Sequence, residues 1–185
     1  KLYNGELKYN TSAYMAVVDL PIGNRDLQQC ADAVMRLRAD YLFSQKKYSD
    51  IEFLFVNGNR ANYVTYLKGK TPNQTNLWSY LEYVFSYAST LSLNKQLKQK
   101  DINKLDIGDV FIKGGSPGHA VIVVDKCVGP EGEVRFMLAQ SYMPAQEIQI
   151  LVNPIDPNTP WYESNFGEIL MTAEYSFTKN QLKSF

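Results

Sequence analysis

The spacing of apolar residues changes once along the chain, and this change most constrains the fold. Before Leu97, apolar residues recur about every 3.6 residues in two long segments, which predicts helices over residues 26 to about 45 and 77–88. After Leu97, the apolar residues form short runs bounded by turn residues, which is typical of strands. Helices followed by antiparallel strands indicate an α+β fold, with N-terminal helices packed on an antiparallel sheet.

Seven segments are predicted as strands from their apolar runs and from the turns that bound them. The first is predicted to be buried, and segments 119–128 and 133–141 form a hairpin around the sequence Gly-Pro-Glu-Gly. The Pro-rich stretch 153–160 is predicted to be a surface loop. The predicted strands are residues 13–20, 51–56, 109–113, 119–128, 133–141, 147–152 and 168–177.

Length and charge limit the classes of partner. The chain has 185 residues, about the length of one domain, so we interpret residues 1–185 as a single domain that was trimmed before Lys1. Its 19 basic and 19 acidic residues give a formal net charge of zero, which argues against nucleic acid as a partner. No apolar run approaches the roughly 18 residues of a membrane span, so no integral membrane segment is predicted.

The chain contains two cysteines and one histidine, and this small number limits its chemistry. Protein-held zinc requires three or four nitrogen or sulfur ligands, so no metal site is predicted. Two thiols can form one disulfide but not a disulfide scaffold. No sequence motif implies a cofactor.

Cys30 lies near the start of the first predicted helix, where Asp26 and Gln29 form a plausible capping box, and His119 opens a predicted strand. Hydrolysis by a cysteine enzyme needs a thiol that becomes the thiolate nucleophile and an imidazole that takes the proton of this thiol. A helix N-terminus stabilises an anion by about 0.3–1 kcal/mol, too little to bring a thiol pKa from about 8.5 into the reactive range. We therefore predict Cys30 as nucleophile and His119 as the base that lowers its pKa.

The register of the predicted hairpin identifies a third member of the site. We expect Val128 to face Glu133 across the turn. Gln140 then faces Val121 and lies diagonally beside His119 on the same face of the sheet. Gln140 is therefore the predicted residue that orients the imidazole, provided that no bulge shifts the register.

Cys127 offers a competing role for Cys30. It lies eight residues beyond His119, about 26 Å along an extended strand. Cys30 can therefore lie beside His119 or form a disulfide with Cys127, but hardly both. The disulfide alternative corresponds to a structural protein of the cell envelope.

Three segments, taken in order, resemble a known group of enzymes. QQCADAVMRLRADYL contains Cys30, LDIGDVFIKGGSPGHAVIVVD contains His119, and MLAQSY contains Gln140. This layout resembles CHAP-type amidases and related papain-like peptidoglycan hydrolases. The resemblance implies a papain-like (CHAP-like) fold that hydrolyses an amide bond, with Cys30 as nucleophile, His119 as base and Gln140 as orienting group.

Nearly the full length resembles an uncharacterised family of exported bacterial proteins, a domain-of-unknown-function family. The segments DLQQCADAVMRLRA, GGSPGHAVIVVD and AQSYMPAQEI carry this resemblance. It implies a periplasmic or cell-envelope location, and the amidase resemblance implies a peptide or peptidoglycan-like substrate. Two features depart from the amidase pattern: an aromatic-rich insert between Cys30 and His119, and a glutamine where Asn, Asp or Glu is commoner.

Two further groups are candidates for substrate binding. The loop before His119 contains Gly115, Ser116 and Gly118, and its glycines let a substrate backbone approach closely. Trp161 and Tyr162 border the Pro-rich loop, where aromatic side chains are less easily buried.

Each candidate also has a structural alternative. Cys30 shares an apolar helix face with Leu27 and Val34, and free cysteine is often buried as a small apolar residue. Gln140 can instead satisfy a buried backbone group. The two functional hypotheses are a cysteine hydrolase and a catalytically inactive papain-like domain that binds cell-envelope or glycan ligands through its aromatic residues.

Overall fold

Four α-helices lie in the first half of the structure, a computed structural model that describes residues 1–185. None of them is long and apolar enough to cross a membrane. The helices are α1 (Cys30–Ser44), α2 (Tyr63–Leu67), α3 (Gln74–Phe85) and α4 (Thr90–Gln96).

Twelve short strands accompany the helices, and most of them follow α4 in the chain. The strands are β1 (Tyr14–Val17), β2 (Glu52–Leu54), β3 (Arg60–Asn62), β4 (Lys98–Gln99), β5 (Val110–Lys113), β6 (His119–Val128), β7 (Val134–Gln140), β8 (Gln149–Leu151), β9 (Trp161–Glu163), β10 (Ile169–Met171), β11 (Ser176–Thr178) and β12 (Leu182–Ser184).

Eight of the strands form one antiparallel sheet in the order β1-β8-β7-β6-β5-β12-β4, with β9 paired to β7. Two separate hairpins, β2–β3 and β10–β11, complete the strands. The predicted α+β class, with helices packed on an antiparallel sheet, is therefore confirmed.

The central strand β6 is buried on both faces of the sheet. Ala120 and Ile122 belong to the larger core, which the helices cover, whereas Val121 and Val123 belong to a second core on the opposite face. This second core also contains Leu170 of β10 and Phe177 of β11. Burial on both faces explains why the sequence of β6 is a continuous apolar run rather than an alternating one.

Several predicted boundaries are wrong, each for a local reason. The predicted buried strand 13–20 is the short edge strand β1, which pairs only with β8. Its Met15 and Val17 side chains are exposed because neither core includes them. Helix α1 begins four residues later than expected. Helix α3 begins three residues earlier than expected, because the side chain of its N-cap residue Asn73 accepts a hydrogen bond from the Asn76 amide. The short helices α2 and α4 were not predicted.

The predicted strand 168–177 is in fact the hairpin β10–β11. Its chain reverses at Thr172, whose hydroxyl donates to the Tyr175 carbonyl oxygen at 2.8 Å while accepting from the Tyr175 amide. The turn places Glu174 and Tyr175 at the end of the sheet where β6 begins. Of these two residues without a predicted role, Tyr175 contacts His119 and Glu174 contacts Gln140.

The β6–β7 hairpin departs from the predicted register and then returns to it. Val128 pairs with Val134 rather than with Glu133, so the prediction is wrong by one residue at the turn. A bulge between Val123 and Asp125 then inserts one extra residue into β6. Beyond the bulge Ile122 pairs with Ala139, which is the pairing that the predicted register requires at the His119 end.

Candidate active site

Cys30 is the first residue of α1. The helix is capped by Gln29 and Asp32, and Asp32 Oδ2 accepts a hydrogen bond from the Gln29 amide at 2.9 Å. The expected capping box of Asp26 and Gln29 is wrong, because Gln29 itself is the N-cap residue and Asp26 lies before the helix. Asp26 Oδ1 accepts from Gln29 Nε2 at 3.1 Å and from the Ala145 amide at 2.7 Å. Cys30 therefore lies among the first-turn amides, which have no partner within the helix.

His119 begins β6 and Gln140 ends β7, so the hairpin brings the two side chains together. His119 Nε2 lies 2.7 Å from Gln140 Oε1. The His119 side chain is 2% exposed and that of Gln140 is fully buried, so water does not compete for this hydrogen bond. The ring of His119 is thereby held in one orientation.

Cys30 and His119 line one cleft of about 430 Å³ between the start of α1 and the start of β6. The predicted substrate-binding residues Gly115, Ser116 and Gly118 line the same cleft. Thr90, the first residue of α4, holds this loop through a hydrogen bond from its hydroxyl to the Gly115 carbonyl oxygen at 3.2 Å. Five of the predicted site residues thus line one cavity. Gln140 does not line it but is hydrogen-bonded to His119, which does.

The structure does not bring Trp161 and Tyr162 to this cleft. Tyr162 is 2% exposed, its ring stacks on Phe136, and its hydroxyl donates to the Val152 carbonyl oxygen. It is therefore a residue of the second core. Trp161 is half-buried beside a separate groove that it shares with Asn153.

Three aromatic rings surround the imidazole of His119. Tyr142 and Tyr175 have ring centroids 5.1 and 5.0 Å from it, and Phe177 stacks at 6.2 Å. Tyr142 and Tyr175 also line the cleft. The predicted register of the hairpin places Tyr142 opposite His119, whereas no sequence pattern pointed to Tyr175, which lies in the turn of an unpredicted hairpin.

A buried polar network continues from Gln140. Gln140 Nε2 donates to Glu174 Oε2 at 2.7 Å, and the Glu174 carboxylate forms an ion pair with the ammonium group of Lys8. Lys8 Nζ also donates to Gln149 Oε1 at 3.3 Å and lies 5.1 Å from the centroid of the Tyr142 ring. His119, Gln140, Glu174 and Lys8 therefore form one continuous chain.

The cleft holds a neutral thiol and a neutral imidazole in the resting state. Burial, with a smaller contribution from the nearby Asp32 carboxylate, raises the pKa of Cys30 to about 11, although the amides of Ala31 and Ala120 act in the opposite direction. Burial also lowers the pKa of His119 below its usual range. The expectation that His119 lowers the thiol pKa is therefore wrong for the resting site, where no hydrogen bond joins the thiol to the ring.

Asp32 is a buried carboxyl group on the wall of the cleft. Its Oδ1 atom has no hydrogen-bond partner, while Oδ2 accepts from the Gln29 amide. Burial raises the pKa of Asp32 to about 8, and the hydrogen bonds from the Gln29 and Asp32 amides oppose this only in part. Asp32 therefore retains a proton near neutral pH.

Cys127 does not take part in the site. It is an exposed residue that pairs with Arg135 near the turn of the hairpin, and both cysteines are free thiols. The disulfide alternative therefore has no counterpart in this structure.

Gly118 has no room for a side chain, which gives a prediction about the cleft loop. A Cβ atom at this position would lie 2.4 Å from the Gly115 carbonyl oxygen and 2.5 Å from Thr90 Oγ1. We expect Gly118→Ala to lower the free energy of unfolding by about 1–3 kcal/mol, because the loop must shift. Urea unfolding measures this change, with exposed Ser116→Ala as the control in the same loop. Equal stability of the two variants would contradict the prediction.

Comparison with known proteins gives a family and no function. No curated protein and no solved structure matches the chain. The full-length resemblance to an uncharacterised family is confirmed by a match over residues 1–184. The chain belongs to the family DUF4846, described as "Domain of unknown function (4846)".

Proposed function

We propose that this protein is a papain-like cysteine hydrolase that cleaves an amide bond, with Cys30 as nucleophile, His119 as base and Gln140 as the group that orients the base. One observation carries the proposal. A cysteine at the first position of a helix and a histidine line the same cleft, and the histidine uses Nε2 to contact Gln140. Its Nδ1 atom then remains available to take a proton.

The reaction proceeds in two steps. His119 takes the Cys30 proton as the sulfur attacks the amide carbonyl carbon, and the amide of Cys30 donates to the developing oxyanion. The carbon–nitrogen bond then breaks, the leaving amine receives the proton from His119, and a thioester remains on Cys30. Water attacks the thioester carbonyl carbon while His119 takes a proton from the water. Return of this proton to the sulfur accompanies cleavage of the carbon–sulfur bond and releases the carboxylic acid product.

The neutral resting pair indicates when the proton moves. Because the thiol pKa is raised and that of His119 is lowered, a thiolate–imidazolium pair does not form in the empty cleft. Proton transfer therefore accompanies the attack on the carbonyl carbon. Catalytic hydrogen bonds that are absent in an empty site commonly form when substrate binds. The proposed reaction requires such a hydrogen bond between the Cys30 thiol and the His119 ring.

The proposed substrate is a peptide, with cell-wall peptide as the preferred case and the cell envelope as the location. The sequence resemblance to peptidoglycan hydrolases supports this assignment. The carboxylate of Asp26 lies in the wall of the cleft, and no Lys or Arg side chain lines it. This lining favours a neutral or amine-bearing peptide over an anionic ligand.

The alternative is a catalytically inactive papain-like domain that binds an envelope ligand in the same cleft. The raised pKa of the Cys30 thiol favours it, because a half-buried thiol without a thiolate-stabilising partner has low reactivity. Tyr142 and Tyr175 would then supply ring faces for a glycan or peptide.

Incubation with purified peptidoglycan fragments that contain intact stem peptides distinguishes the two functions. A hydrolase is expected to add one water across an amide bond, which mass spectrometry of the fragments detects. Cys30→Ala abolishes this product, whereas Cys127→Ser leaves it unchanged because Cys127 is exposed and remote from the cleft lining. Saturable binding of the fragments without any cleavage would support the inactive domain instead.

A further inference from the structure

We infer that Glu174 and Lys8 are positioning residues that determine which nitrogen of His119 carries its proton. This inference rests on the proposed function, because it concerns the base of the proposed site. Both residues lie outside the cleft lining and act through Gln140. The hydrogen-bonding capacity of each group along the chain from Lys8 to His119 carries the argument.

The Glu174 carboxylate sets the orientation of the Gln140 amide. A glutamine amide can rotate by half a turn and exchange its oxygen and its nitrogen, so its neighbours decide which atom faces which way. An ionised carboxylate only accepts hydrogen bonds, so Gln140 must direct Nε2 toward Glu174, as observed at 2.7 Å. The carbonyl oxygen Oε1 is thereby directed toward His119.

The orientation of Gln140 in turn sets the tautomer of His119. Oε1 of Gln140 only accepts, so the proton of the neutral ring must lie on Nε2, 2.7 Å away. Nδ1 then carries the lone pair that general-base catalysis requires. A reversed amide would donate to Nε2 and place the ring proton on Nδ1, where the base could not accept a proton from Cys30.

Lys8 holds the Glu174 carboxylate in place in this buried position. The side chains of Lys8 and Glu174 are 6% and 11% exposed, and the ammonium group compensates a negative charge that Glu174 would otherwise bury without a partner. The ion pair thereby fixes the carboxylate that accepts from Gln140 Nε2. Lys8 lies near the N-terminus and pairs with a residue 166 positions later, so the N-terminal segment contributes to the geometry of the site.

The single histidine of the chain makes the inference directly measurable. Nitrogen NMR of protein with ¹⁵N-labelled histidine gives one pair of ring signals, whose shifts report which nitrogen is protonated. Wild-type protein at neutral pH is expected to have a protonated Nε2 and an unprotonated Nδ1. A proton on Nδ1 in the wild-type protein would overturn the inference without the need for any variant.

Two variants test the cause. Glu174→Gln lets the Gln140 amide pair in either orientation, so we expect the ring signals to shift toward a mixture of both tautomers. The double variant Lys8→Met with Glu174→Gln removes both buried charges together and is expected to give the same mixture while avoiding an unpaired Lys8. Glu163→Gln, at an exposed ion pair with Arg135, is the matched control and keeps the wild-type signals.

The outcomes separate this inference from the proposed function. Wild-type ring signals in a folded double variant would overturn the role of Glu174 and Lys8, whatever the activity. If the tautomer shifts as expected in the variants but the wild-type protein hydrolyses no peptide, the positioning role is supported. That outcome counts against the hydrolase proposal alone. Circular dichroism of each variant verifies that a shift of the ring signals comes from a folded protein.

Discussion

Replacement of His119 by alanine is expected to slow amide hydrolysis at pH 7 by about 10²–10⁴-fold, the usual contribution of a positioned general base. The reason is that the Cys30 pKa of about 11 leaves almost no thiolate at this pH. Without a base, the attack depends on that small fraction. The chain has no second histidine that could replace the first.

The measurement compares the hydrolysis rates of wild-type, His119→Ala and Cys30→Ala proteins on the same peptidoglycan fragments. His119 packs against three aromatic rings, so its removal leaves a cavity and urea unfolding must accompany the rates. His119→Gln is the second variant, because it fills more of the cavity and still lacks the imidazole. Wild-type rates in a folded His119 variant would exclude His119 as the base.

The part of the site that lies on one hairpin could be predicted from the sequence. His119 and Gln140 are 21 residues apart on adjacent strands, and the alternation of side chains along a strand brings them to one face. This prediction also depended on chance, because the register at the turn was wrong by one residue. The bulge beside Val123 corrected it before the site, and no residue of that apolar run signals a bulge.

The parts of the site that depend on distant contacts could not be predicted. Glu174 reaches Gln140 across 34 residues, and Lys8 reaches Glu174 across 166, with no periodic pattern to connect them. The start of α1 illustrates the same limit. Asp26 and Asp32 both lie three residues from Gln29, and only Asp32 accepts from its backbone amide, while Asp26 is held by the Ala145 amide from 119 residues away. The pKa of Cys30 was misjudged because burial of the helix start is a tertiary property.

Replacement of Asp32 by asparagine is expected to stabilise the protein at pH 8 by an amount on the order of 5 kcal/mol. The Asp32 pKa is about 8 in the folded protein and 3.8 in the reference state, so the unfolded chain releases this proton at a lower pH than the folded protein. The stability contributed by the protonated carboxyl is fully present below about pH 4 and is lost as the pH rises toward about 8. Asparagine carries no such proton and can still accept from the Gln29 amide.

Urea unfolding of the wild-type and Asp32→Asn proteins between pH 4 and pH 8 measures this difference, which should be small at pH 4 and grow by about 1.4 kcal/mol per pH unit. His119 titrates in both proteins and cancels from the comparison. Lower stability of Asp32→Asn at pH 8 would indicate that the helix N-terminus keeps Asp32 ionised. The expected result would show that Asp32, a carboxyl group on the wall of the cleft beside Cys30, lowers the stability of the fold. Stability alone would favour an amide at this position, so the carboxyl group is explained by a role in the function of the cleft.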